Sequence, residues 1–350
     1  MRVHERLDEL YAIGGGPGAN RLGGTPEEDE AHELVGRWMR EAGLAVATDP
    51  AGNLFGRLRG GRPELPEVWT GSHLDSVPQG GRFDGALGVV GGLEAVTEIG
   101  QQERALCVVA FRDEEGCSGP GCVGSRGLCA SAGPLPGAFV ELHIEQGPRL
   151  EALGAPLGVV VGIVATARGE VLFEGEPGHA GTTPMAARRD ALVEAAGFVL
   201  RLRDAAAEVE GGVATVGRVV VEPGASNVIP ARVAVSVDVR APSDDGVERI
   251  AAVVPGRLER AEAVAMTEEP TRVLRQELDE RGLPVAELHS GAGHDAGVLA
   301  AAGVPTAMLF VRSLNGGVSH APDEHSDEAD VELGVAVLAG ALRRLAGAGD

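Results

Sequence analysis

The 350-residue chain contains no lysine, so all 30 side chains in its lysine-plus-arginine count are arginine. That excludes Schiff-base chemistry and a phosphate-cradling P-loop, both of which require lysine. A coding bias toward arginine accounts for the absence as well as selection for function does. Aromatic residues are also scarce, at 3%, so Ala, Val, Leu and Gly must do the packing. Positive charge is outnumbered. The net charge of -22 argues against nucleic acid and anionic membrane as partners. No apolar run reaches the length that crosses a bilayer. The opening MRVHERLDEL is charged and has no apolar stretch of the kind a signal peptide needs. The four cysteines, Cys107, Cys117, Cys122 and Cys129, crowd into one segment with no zinc-ribbon spacing. The expectation is a cytoplasmic protein with reduced thiols.

What is present is a core's worth of apolar residues, 44% of the chain, and a length suited to one large domain or two ordinary ones. Residues 26–43 show helical apolar spacing with an acidic first turn and Gly43 as a stop. Short strands are expected at Leu44–Thr48 and Leu54–Arg59, joined by an Asp49-Pro50-Ala51-Gly52 turn. Apolar runs at Glu67–Gly71, Ala105–Phe111 and Gly137–Leu142 read as buried strands, with helices near Gly88–Ile99 and Ser125–Ala130. Residues 157–266 differ. Strand (157–176), helix (187–207), two strands (214–222, 231–240), helix (244–254) and strand (257–266) give a β-α-β-β-α-β order, the ferredoxin-like unit. Val233, Val235, Val237 and Val239 alternate, as on a sheet with one covered face. Helix, strand, helix, strand and a last helix (331–345) then resume the α/β pattern. The expected architecture is an α/β domain formed by residues 1–156 and 267–350, a mixed sheet flanked by helices. It is interrupted by a smaller α+β domain, residues 157–266.

The chemistry gathers after the expected strands. Glu67–Gly71 runs into His73 and Asp75, and Ala105–Phe111 into Glu114 and Glu115. Gly137–Leu142 runs into His143 and Gln146, and the strand at Thr306–Val311 leads through a glycine loop to His320. Open α/β sheets place ligands at these carboxyl ends. Asp84, in the glycine-rich GGRFDGALG, is near enough in sequence to fold back beside His73. Three imidazoles and two carboxylates suit Zn, Mn, Co or Ni. Two ions sharing a carboxylate would sit roughly 3.5–4 Å apart with a hydroxide between them. Taken singly, each residue has an ordinary reading: a loop pair for His73 and Asp75, a solvated pair for Glu114 and Glu115, a core histidine for His143, and a polar surface loop for His320. Their joint placement on strand ends favours the metal site.

The ordered segments GSHLDSVPQGGRFDGALGV, DEEGCSGPGCVGSR, ELHIEQGPRLE, GHAGTTPMAARRDAL, GASNVIPARVAVSVDVR, GAGHDA and GGVSHAPDEHS, spanning about residues 70 to 326, resemble a known family. It is the hydantoinase/carbamoylase branch of the M20 metallopeptidase-like amidohydrolases. That branch includes N-carbamoyl-L-amino-acid hydrolases, allantoate amidohydrolases and β-ureidopropionases. The resemblance implies two divalent metal ions per subunit, with His73 and His143 on one, Glu115 and His320 on the other, and Asp84 bridging. It implies Glu114 as general base and Asp75 as orienter of a ligand. In the inserted domain it implies His179 and Asn227 as donors to the scissile carbonyl and Arg240 as clamp for a substrate carboxylate, with Gln146 contacting substrate near the metals. It further implies a homodimer formed through the inserted lid domain, whose residues reach a neighbouring subunit's site. Read from sequence alone, Asn227 suits a turn, Arg240 a surface charge and His179 a loop. His294 in GAGHDA suits a metal ligand on spacing, whereas the resemblance gives it a supporting role. Two departures stand out: Cys117 beside the expected metals, read as a packing residue, and a short junction near Thr267–Arg272. The implied reaction is hydrolysis of a small ureido carboxylate, most simply an N-carbamoyl-L-amino acid, with allantoate or a β-ureido acid as alternatives. A dipeptidase or N-acyl amino-acid deacylase is disfavoured by His143, where such peptidases usually carry a carboxylate. A non-catalytic metal-binding homologue should lack a ligand or the base, and none is missing.

Overall fold

The computed structural model describes residues 2–131 and 133–347; the expected main domain also takes in residues 1, 132 and 348–350, which lie outside the described residues. The chain separates into two compact units. One comprises Met1–Gly162 with Ala265–Asp350, the other Ile163–Val264.

In the larger unit, four parallel strands form the centre of a sheet. Leu106–Phe111 lies beside Val68–His73, then Ala138–Ile144, then Thr306–Val311. Every residue of these four strands is buried, as their near-continuous apolar sequences require of a sheet covered on both faces. Antiparallel strands flank them, Leu54–Leu58 and Ala45–Thr48 on one side and Leu157–Ile163 on the other. The sheet is therefore mixed.

Helices Ala86–Ile99, Glu268–Glu280 and Glu328–Ala346 join alternate strand residues such as Val108, Val140, Leu142 and Leu309 in the main core. Phe139 and Phe310 point the other way, where Val123–Ala130 and Asp295–Ala301 lie. Three layers result, and the four parallel strands all end on the same edge.

The strand expected across 157–176 is in fact two. Leu157–Ile163 (LGVVVGI) is apolar throughout and joins the main sheet, antiparallel to Thr306–Val311. Ala165–Glu174 alternates buried with exposed residues and belongs to the smaller unit. Likewise only Glu259–Ala261 of the expected 257–266 strand pairs within the smaller sheet. A helix at Val3–Tyr11 had no strong sequence signal.

The smaller unit has its own sheet. Its strand order is Glu259–Ala261, Ala165–Glu174, Arg232–Ala241, then Val213–Thr215, with Val219–Glu222 also on Arg232–Ala241. All pairs are antiparallel. Val233, Val235, Val237 and Val239 are buried against Phe198 and Leu202 of helix Ala191–Ala207 and Ile250 of helix Asp244–Ala251. Both helices are capped at their N-termini by side chains, Asp190 and Ser243 respectively. Among the described residues, no helix is long and apolar enough to cross a membrane.

Candidate metal centre

The register of the parallel strands assembles the site. Pairing of Thr70 with Val140 carries His73 and His143 to the same level, with their rings 5.9 Å apart. Both imidazoles are buried. Their Nε2 atoms face the same oxygen, Oδ1 of Asp84, at 3.7 Å from His73 and 3.3 Å from His143. The other oxygen, Oδ2, lies 3.2 Å from Nε2 of His320, which is also 3.4 Å from Oε1 of Glu115. Asp84 thus presents one oxygen to each of two groups, His73–Asp84–His143 and Asp84–Glu115–His320. In each group, ligand-type atoms converge within 4.8 Å.

The loops that deliver these atoms are tightly tied. Nδ1 of His73 is 3.2 Å from the Asp75 carbonyl and 3.3 Å from its carboxylate. The same carboxylate accepts the backbone amides of Glu114 and Glu115, both at 3.0 Å. Asp75 therefore orients one histidine and fixes the acidic loop together. His143 Nδ1 is 3.0 Å from the Ile144 carbonyl. Gly85 follows Asp84 at φ +61°, and a Cβ there would overlap the His73 ring, so only glycine lets the backbone pass. The Gln146 amide donates to Asp84 Oδ2 at 3.0 Å, beside Ser319 and His320.

The electrostatics fit a divalent cation site. Burial would raise Asp84, but hydrogen bonds from His143 and His320 outweigh it and hold the carboxyl well below the usual range. Burial would lower His73, yet Asp75 and its neighbours drive it well above the ordinary value. The hydrogen bond to Asp84 pushes His320 up to about 9, and burial beside Asp84 pushes Glu115 up to about 7. The buried carboxylates draw His73, His143 and His320 toward their charged forms. Cations set among the same nitrogen and oxygen donors satisfy that pull directly. Burial also raises Glu114 well above the ordinary carboxylate. Its Oε2 lies 3.8 Å from His73 Nε2, at the edge of the cluster.

A third convergence, Glu141–His143–His294, differs in kind. Glu141 already accepts from Ser72 at 2.6 Å and from the Ala296 amide at 2.8 Å, and His294 Nε2 is 2.8 Å from Ser290. Its donors are spent on tying strand to helix. His294 stacks edge-on to His143, with ring centres 4.5 Å apart, which is a supporting contact.

Sequence reasoning missed several such supports. Glu324 accepts the Phe83 and Asp84 amides at 2.8 and 3.1 Å and the Ser319 hydroxyl at 2.7 Å, binding the Asp84 loop to the His320 loop. Glu28 accepts the Asp113 amide at 3.0 Å and pairs with Arg112 at 3.1 Å. The one available signal for Glu324 was its place four residues after His320. Cys117 is exposed, and its amide donates to Asp113.

In the smaller unit, His179 and Asn227 lie on adjoining segments. His179 bridges to Val228, and the Ala180 amide donates to the Asn227 carbonyl at 3.0 Å. Both side chains are exposed. Arg240, half-buried, makes a two-pronged contact with Asp238, each bond 2.9 Å.

The mixed α/β sheet flanked by helices matches peptidase family M20/M25/M40. The chain matches that family over residues 69–344 and belongs to it. Within the family it falls in the hydantoinase/carbamoylase branch. It is 38% identical to the N-carbamoyl-L-amino acid amidohydrolase of Geobacillus stearothermophilus, covering 96% of each chain. It is 33% identical to the allantoate amidohydrolase of Bacillus subtilis, over 96% of this chain and 95% of that one. A crystal structure of a hydantoinase/carbamoylase family amidase from Burkholderia multivorans superposes with a TM-score of 0.87 at 34% identity, covering 100% of this chain and 98% of that one.

Proposed function

We propose that the protein hydrolyses a carbon–nitrogen bond of an N-carbamoyl-L-amino acid at a two-cation site. It is a hydrolase of non-peptide C–N bonds, acting on ureido compounds. The observation that carries the two-cation reading is Asp84, one oxygen turned to His73 and His143 and the other to His320. His73 and His143 would hold one ion, Glu115 and His320 the second, with Asp84 shared. Divalent cations of the Zn, Mn, Co or Ni type supply Lewis-acid activation of a water and of the ureido carbonyl. The protein's own groups do the rest. Glu114, raised by burial, takes a proton from the attacking water and returns it to the departing nitrogen. Asp75 keeps His73 and the Glu114–Glu115 loop in register. His179 and Asn227 donate to the carbonyl oxygen as negative charge develops there. Gln146 contacts substrate beside Asp84. Arg240 exchanges its two-pronged bond with Asp238 for the substrate carboxylate, a planar fork suited to either. The carbamate left when ammonia departs loses carbon dioxide to give the free amino acid.

The smaller unit acts as lid, its residues reach a neighbouring subunit's site, and the enzyme is a cytoplasmic homodimer. The higher identity to an N-carbamoyl-L-amino acid amidohydrolase than to an allantoate amidohydrolase supports the substrate. The test is a panel of N-carbamoyl-L-amino acids, allantoate, a β-ureido acid and dipeptides. It is run on protein stripped and reloaded with each of the four metals, with bound metal counted by mass spectrometry. Two equivalents of metal and fastest turnover of an N-carbamoyl-L-amino acid are expected. Turnover confined to dipeptides, or full activity with one equivalent, overturns the reading.

A further inference from the structure

Glu114 is positioned through three of its own groups. Its amide donates to Asp75, its Oε2 faces His73, and its Oε1 accepts from the Cys122 thiol at 3.3 Å. The Cys122 amide also donates to the Glu114 carbonyl at 2.8 Å, so the two residues are joined by both backbone and side chain. Cys122 is buried, and it sits at φ +54°, a left-handed conformation in which cysteine is uncommon. Backbone in that region persists where the surrounding structure fixes it, and such residues cluster near functional sites. The next helix, Val123–Ala130, starts from it, and Ser125 of its first turn anchors to Asp295 at 2.6 Å. The thiol is therefore fixed from behind. Burial keeps it protonated, so sulfur is the donor and Glu114 the acceptor.

We propose that Cys122 is a positioning residue for Glu114: its thiol occupies Oε1 and leaves Oε2 as the oxygen turned toward the metal-ligand cluster. A thiol suits this task because it is a weak donor. It fixes the rotamer while leaving the carboxylate a competent base, whereas an amide or guanidinium would fix it and draw off its basicity. The inference rests on the reading of Glu114 as general base.

The test uses full-length, metal-loaded protein and the ureido substrate that the wild type turns over fastest. Cys122→Ala removes the donor. Cys122→Gly removes it too while favouring the left-handed backbone, which guards against a folding defect. Both are expected to lower kcat about five- to tenfold, the worth of one hydrogen bond of ordinary strength, with KM and bound metal unchanged. Cys122→Ser keeps a donor and should stay within about threefold of wild type. In a Glu114→Gln background the Cys122→Ala loss should vanish, because the two act as one unit. Wild-type kcat in both donorless variants overturns the proposal, and so does a loss of bound metal that Cys122→Ser shares. Near-normal turnover by Glu114→Gln alone instead overturns the base reading itself. If Glu114→Gln is inactive and both donorless variants keep wild-type kcat, only the positioning role falls.

Discussion

Glu324 drew no expectation from the sequence, yet its carboxylate ties together the loops bearing Asp84 and His320. Outer partners of this kind commonly set ligand orientation, and their loss costs about 10–100-fold in metal affinity. Glu324→Gln places an amide where two backbone N–H groups and a hydroxyl need an acceptor. Metal titration of that variant should show a weakening in this range, with the fold intact by circular dichroism. Asp295 is a different case. It is buried, its Oδ1 accepts from Ser125, and its Oδ2 has no hydrogen-bond partner among the described residues. Burial, aided by Glu141, pushes its carboxyl up to about 8 from an ordinary value of 3.8. The folded state therefore binds this proton more tightly than the unfolded chain. The resulting stability is intact below about pH 4 and drains away as pH rises toward 8, by up to about 1.4 kcal/mol per unit. Asp295→Asn has no proton to lose. Melting of the metal-free proteins should show the variant gaining on wild type steadily from pH 5 to pH 8. A constant gap across that range would disprove the assignment.

At the scale of elements, ligands come from the ends of parallel strands and from the loops that follow them. The strands were legible because four apolar runs each ended in a histidine or acidic pair. The fold-back of Asp84 was also legible, because a glycine-rich loop after His73 can turn that tightly. Less legible was the division at Leu157–Ile163, where continuous apolar sequence marks a strand covered on both faces and the alternation beginning at Ala165 marks one covered on a single face. The two patterns abut with a single residue between them, so sequence alone merges them. The supports from Glu28, Glu141 and Glu324 were not legible, since an isolated glutamate carries no periodic signature and its partners are mostly backbone amides. Loop strain was likewise hidden. Asp113, Cys122, Gln146 and His320 all adopt positive φ around the site. Gly85 shows how little slack remains there. Gly85→Ala forces a side chain onto φ 61° and ψ -51°, outside the regions open to other residues, and drives a methyl into the His73 ring. The variant should bind less than two equivalents of metal and lose turnover at least in proportion, read by elemental analysis alongside kinetics.

On the scale of the whole molecule, the two units have separate cores, one built on the large sheet and one around Phe198 and the valine ladder of Arg232–Ala241. All five proposed ligands belong to the first. A ligand that binds only the folded state stabilises it by about 2.7 kcal/mol at a hundred times its Kd. Calorimetry with and without chelator should therefore show one metal-sensitive transition, while melting of the smaller unit stays in place. A uniform shift of both would show that the units unfold together. Where the smaller unit joins the larger, Val161 and Met266 are hydrogen-bonded neighbours at 3.0 Å, so the chain leaves and re-enters the main sheet at one point. In evolutionary terms the smaller unit is an insertion whose two ends meet at that point. Substitutions between those ends fall outside the unit that carries all five proposed ligands.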